Sequence, residues 1–169
     1  MLTASPTPDD SRNHAREITL AYRPIRDNHG NVVDASMLIL NTARMAAATI
    51  GPWLTKESVE VFGVACLSGK HELLAWHVVS RGTRTSATVS ILDIFATAYI
   101  TPGTTGLIVI RNQPGGDTTP TPDDHRLTQR LLSAADVLDI RVHDYLIVGD
   151  HCYYSFLEAE AKAEVLFGH

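Results

Sequence analysis

Cysteine is scarce in this chain of 169 residues: there are two, Cys66 and Cys152, and no CxxC pair. That argues against a disulfide-stapled scaffold or a thiolate metal cluster, and it fits two reduced thiols in a cytoplasmic protein. Each has apolar or aromatic neighbours, so cysteine catalysis is set aside. Positive charge is lacking too. The net charge of −5 is the opposite of the broad basic footprint that nucleic-acid binding requires. Arg126, Arg130 and Arg141 would make a local basic spot, but Asp123, Asp124, Asp136 and Asp139 dilute it. No run of apolar residues approaches the ~20 needed to span a membrane. The first residues show no basic segment followed by an apolar one, so no secretory leader is expected.

What is present fits one globular domain. Hydrophobic residues make up 44% and charged residues 20%, and the chain is long enough for a real core. The stretch MLTASPTPDDSRNHARE is polar and is expected to be a mobile arm over residues 1–16. EITLAYRPI alternates Ile18, Leu20 and Tyr22 as a half-buried strand would, and VVDASMLIL resumes the apolar pattern. NTARMAAATIGPWL suggests a short helix stopped by Gly51-Pro52.

From residue 58 the pattern sharpens. SVEVFGVACL and ELLAWHVVSRGT are two β runs around the turn SGKH. The first is apolar on both faces, as in a strand covered on both sides, which leaves Glu60 in need of a partner. SATVSILDIFATAYIT is apolar nearly all round, like a buried helix. GLIVI is a short apolar strand, and DDHRLTQRLLSAADVLDI carries Leu127, Leu131, Ala135 and Leu138 on one helical face. RVHDYLIVGD and CYYSFLE suggest two more strands, and AEAKAEVLF a helical tail. The order strand, strand, helix, strand, helix, strand, strand predicts an α/β fold, a mixed sheet with helices packed on it.

The loop RNQPGGDTTPTPDD, residues 111–124, leaves the end of an apolar strand and enters a helix. Sites in α/β proteins commonly lie there, because backbone N–H groups point outward. Thr121-Pro122-Asp123-Asp124 also has a purely structural account: threonine as N-cap, proline in the first turn, and an acid three residues on. Pro114-Gly115-Gly116 is a turn. Arg111 and Gln113 lie two apart at a strand end, so both side chains can face the same side. The bland alternative makes them rim residues with surface hydrogen bonds.

These residues carry a resemblance. EVF at 60–62, VSRGT at 79–83, the NxPxGDxxP frame at 112–120 and TPDD at 121–124 resemble the RadC branch of the JAB/MPN domain proteins. So do Leu127-Thr128, LIVGD at 146–150 and YSF at 154–156. The resemblance implies a cytidine-deaminase-like three-layer arrangement over residues 55–169, with residues 17–54 as a strand and helix extension. It also implies a zinc site of two histidines and an aspartate, with a glutamate as general base and a serine steadying the oxyanion. Carried over, the base position is Glu60, the hydroxyl position is Thr121, and the ligand positions are Arg111, Gln113 and Asp124. Arginine has no lone pair to give and glutamine is a weak neutral donor, so no metal is expected. His125 points about 100° away from Asp124 on a helix. Nothing in the sequence brings His77, His143 or His151 to the loop. An Arg111–Asp124–Glu60 cluster is expected in place of the metal, with one negative charge left over. Family members usually carry a proline-arginine-glutamate run where this chain has Ile91-Leu92-Asp93, taken as a buried helix grown more apolar.

The expected function is that of a pseudoenzyme: a RadC-like JAB/MPN protein that binds or scaffolds, with a protein partner or a second copy of itself. The segment 17–40 is the candidate contact, with a mere extension of the sheet as the bland alternative. One alternative is a zinc-dependent metallohydrolase of peptidase or isopeptidase type using an unforeseen ligand. Another is a DNA-repair-associated protein, by family association alone, against which the charge balance speaks.

Overall fold

The computed structural model describes residues 24, 26, 30–32, 34, 38–82 and 89–167, the side chains of the last five excepted. The expected arm over 1–16, the strand around Ile18 to Tyr22 and Thr83 of the VSRGT run lie outside them.

Five strands form one mixed sheet. β1 (Val61–Leu67) pairs antiparallel with β2 (Leu73–Arg81) and with β3 (Gly106–Asn112). β3 runs parallel to β4 (Arg141–Val148), and β5 (Tyr153–Ser155) returns antiparallel on β4. The spatial order is therefore β2-β1-β3-β4-β5. β1 and β3 are buried along their whole length, which their unbroken apolar runs require. Helices cover both faces. On one, α1 (Ala43–Leu54) contributes Ala46, Ile50 and Leu54 to a core with Val61, Ala65, Ile108, Ile110, Leu146 and Val148. On the other, α2 (Ile91–Tyr99) and α3 (Pro122–Leu138) bury Ile94, Phe95, Leu127 and Leu131 against Phe62, Val64, Leu107, Val109 and Ile147. α4 (Phe156–Phe167) follows β5 directly. This is the expected α/β arrangement of three layers.

Four local expectations are corrected. Gly51-Pro52 does not stop α1, which continues to Leu54. Pro52 falls in the last turn, where one lost N–H bond is tolerable, and Gly51 is buried. α2 is not buried all round, since Leu92 is 75% and Tyr99 63% exposed. Asp93 is exposed as well, so the Ile91-Leu92-Asp93 run is no sign of a helix grown more apolar for burial. Glu60 precedes β1 instead of lying within it. Finally, the described part of VVDASMLIL makes only isolated bridges, Arg26 with Val32 and Ile39 with Glu72, and no strand.

Candidate functional site

The C-terminal end of β3 delivers Arg111 and Asn112, and Gln113 follows at once. The chain then turns: Gly116 N–H donates to the Gln113 carbonyl at 2.8 Å, and Gly116 takes φ of 78°, in the region glycine adopts cheaply. Gly149 of the LIVGD run lets the loop sit close, because a Cβ there would lie 2.9 Å from the Gly116 carbonyl oxygen. α3 opens with a complete capping box. The Thr121 hydroxyl accepts from Asp124 N–H at 3.3 Å, and the Asp124 carboxylate accepts from Thr121 N–H at 2.8 Å.

Asp124 does more than cap. It is fully buried, and Arg111, 3% exposed, meets it with two donors: Nε to Oδ1 at 3.0 Å and Nη2 to Oδ2 at 2.8 Å. The Tyr145 hydroxyl donates to Oδ1 at 2.7 Å, and the Thr121 hydroxyl to Oδ2 at 2.7 Å. With Thr121 N–H, five donors converge on one carboxylate. Burial opposes its ionisation, but Arg111, Tyr145 and Thr121 outweigh burial and hold its pKa well below the usual range. Burial likewise works against the Arg111 charge, and Asp124, Tyr145 and Glu60 overcome it and raise its pKa.

Glu60 is held less well. Its Oε2 lies 3.9 Å from Arg111 Nη1, and its Oε1 is buried with no hydrogen-bond partner. Burial raises its pKa, Arg111 lowers it and Asp124 raises it, with the balance upward. One guanidinium faces two carboxylates, and the less satisfied one takes the proton more easily. Gln113 Oε1 accepts from Arg111 Nη1 at 2.7 Å. Thus Glu60, Arg111, Gln113, Thr121 and Asp124 are brought to one place.

Sequence reasoning missed two residues. Tyr145, on β4, donates to Asp124, accepts from Arg111 Nε at 3.1 Å, and stacks on Phe156 with ring centroids 5.1 Å apart. Its burial raises its pKa, so it stays a neutral donor. Only the parallel pairing of β3 with β4 reveals it, and no local pattern encodes that. Asn112, 1% exposed, accepts from Val61 N–H at 2.6 Å and donates to the carbonyls of Leu54 and Val59, both at 3.1 Å. It thereby fixes the backbone on either side of Glu60. Three of the described histidines have other partners. His77 bonds the Thr101 hydroxyl at 2.8 Å, His125 packs edge-on against Phe156, and His143 lies against His71. Both cysteines are free thiols, Cys66 buried and Cys152 exposed.

A zinc ion at these positions would need lone pairs, and the former ligand positions offer few. Both Asp124 oxygens are saturated, the Gln113 oxygen is engaged, and Arg111 brings a positive charge where a dication would sit. Among the described residues, no three His, Cys, Asp or Glu side chains are grouped to hold a metal ion. The residues present do not fit zinc.

A family model described as a RadC-like JAB domain matches residues 40–162. A UPF0758 protein of Cyanothece sp. is 40% identical over 112 residues, which cover 66% of this chain and 46% of that protein. One of Acaryochloris marina is 40% identical over 114 residues, covering 68% and 46%. One of Alkaliphilus metalliredigens is 37% identical over 99 residues, covering 59% and 42%. The chain spans about half the length of the curated relatives it matches. No helix of the described residues is long and apolar enough to cross a membrane.

Proposed function

The chain belongs to the RadC-like JAB domain family, and we propose that it is a member with no metal, acting as a binding or scaffolding module and not as a hydrolase. Arg111 and Gln113 occupy former ligand positions, Asp124 is the retained third ligand, Glu60 stands at the base position and Thr121 at the hydroxyl position. The observation that carries this reading is the bidentate Arg111–Asp124 pair, which spends the remaining ligand on a guanidinium. One internal cation in place of zinc keeps the helix start and the strand end together, so the fold survives without the metal. Function then rests on surfaces, with another protein or a second copy as occupant. Cytoplasmic placement and an extension over residues 17–54 beside a domain at 55–169 belong to the same proposal.

The test is zinc content. The untagged protein is incubated with zinc, desalted and measured by elemental mass spectrometry. Near-zero zinc is the expected result. About one zinc per chain, lost on Asp124→Ala, would overturn the reading and bring a metallohydrolase forward, since it would make Asp124 a ligand of the bound ion.

A further inference from the structure

Several unusual features of the backbone and packing meet at the other end of β3, about five residues and roughly 17 Å from Arg111 by strand rise. His71 closes the hairpin between β1 and β2 with φ of 63°, a conformation that glycine adopts at less cost. The pairing of β3 with β4 skips one residue there: Leu107 faces Val142 and Ile108 faces Asp144, so His143 is the extra residue of a bulge. Bulges re-aim side chains and concentrate beside functional sites. The His143 ring takes the space beside Gly106, where any Cβ would collide with it. The two imidazoles meet with centroids 4.5 Å apart, and His71 Nδ1 is buried with no hydrogen-bond partner. A buried polar atom left unsatisfied is costly, so this nitrogen favours a ligand that can pair with it.

The pair lines a pocket of about 230 Å³ with Ser68, Gly69, Thr105 and Arg141. Every charged or chargeable side chain lining it is cationic or a histidine. The Glu72 carboxylate, next to His71, is taken by the Ser68 hydroxyl at 2.8 Å. Asp144, next to His143, is taken by Ser155 and two backbone N–H groups. Lys70 adds a further positive charge on the hairpin. A dication would meet Arg141 with two imidazoles as its ligands, whereas an anion would meet donors.

We propose that this pocket binds a phosphate-class oxyanion between the imidazoles of His71 and His143 and the guanidinium of Arg141. The anion accepts from both rings and from the forked donors of Arg141, a geometry suited to tetrahedral oxyanions. Burial first, then His71 and Arg141, depress the pKa of His143, so the empty pocket disfavours a charged imidazole. A bound anion reverses that, and affinity therefore rises as pH falls through the imidazole range.

Sulfate is the probe of choice, because its charge is constant between roughly pH 5 and 8, the range over which histidine as a residue type changes charge. Calorimetric titration of the full chain should show saturable binding that strengthens about tenfold or more from the top of that range to the bottom. His143→Gln and Arg141→Gln should each abolish it. His71→Gly suits the left-handed backbone, so binding should fall while the melting temperature holds or rises, which separates ligand loss from misfolding. Inorganic phosphate and glycerol phosphate run in parallel identify the source: an ester that binds as tightly marks a phosphomonoester site, and exclusion of the ester marks a free-ion site. No saturable sulfate binding at the acid end, or binding that all three variants retain, would overturn the proposal.

Discussion

Asp124 and Asp144 are both buried, and both receive the start of a helix, yet they are held in opposite ways. Asp124 has a guanidinium, a phenol, a threonine hydroxyl and its N–H. Asp144 has only neutral donors: the Ser155 hydroxyl at 2.6 Å and the N–H groups of Tyr145 and Leu157 at 2.8 and 3.1 Å. Burial is the largest influence on each, and it wins at Asp144, whose pKa is raised, but loses at Asp124. At Asp144 three hydrogen bonds do not offset burial and the nearby Glu158 charge, whereas at Asp124 the paired guanidinium helps tip the balance the other way.

The largest effect is expected at Arg111. Arg111→Ala should cost about 3–5 kcal/mol in chemical denaturation, because it leaves Asp124 charged, buried and unpaired. A cost under about 1 kcal/mol would mean that neutral donors suffice at Asp124 after all. The acid limb of stability comes next. The depressed pKa of Asp124 contributes stability that is present above the ordinary carboxylate pKa of about 3.9 and is lost as pH falls below it. Asp144 has the reverse sign, since its charge costs stability above its raised folded pKa and the cost vanishes on protonation. Denaturation followed across pH should therefore show wild type losing ground to Asp144→Asn as pH rises through that pKa. Tyr145→Phe keeps the stacking on Phe156 but removes one donor, and should cost about 1 kcal/mol. The smallest change is expected from Asp144→Asn at mildly acid pH, within about 1 kcal/mol. The asparagine oxygen can accept the two N–H groups that now reach Oδ1, and its amide can donate to Ser155. The same exchange at Asp124 would point an amide at Arg111 or Thr121 donors and should be far more costly.

Much of this was legible in sequence wherever the signal was local. The capping box at Thr121 and Asp124 is written in four consecutive residues, and the apolar runs of β1 and β3 announce strands covered twice. The cluster at Glu60, Arg111 and Asp124 came from a motif frame, because each member sits at a fixed offset from a recognisable turn or cap. Tyr145 was illegible because its role depends on strand register across a crossover. The exposed face of α2 was hidden for a related reason: Leu92 and Tyr99 are apolar, and only the packing decides which apolar residues the sheet reaches. The left-handed turn at His71 carries a residue that disguises it, where glycine would have marked it.

Asn112 has one more consequence, and it concerns motion. A single amide group ties the end of α1, the approach to β1 and the end of β3. Peeling α1 from the sheet must then release the Val61 amide and loosen the backbone beside Glu60 in the same event. These segments open as one cooperative unit, and slow hydrogen exchange at Val61 would report the free energy of that opening.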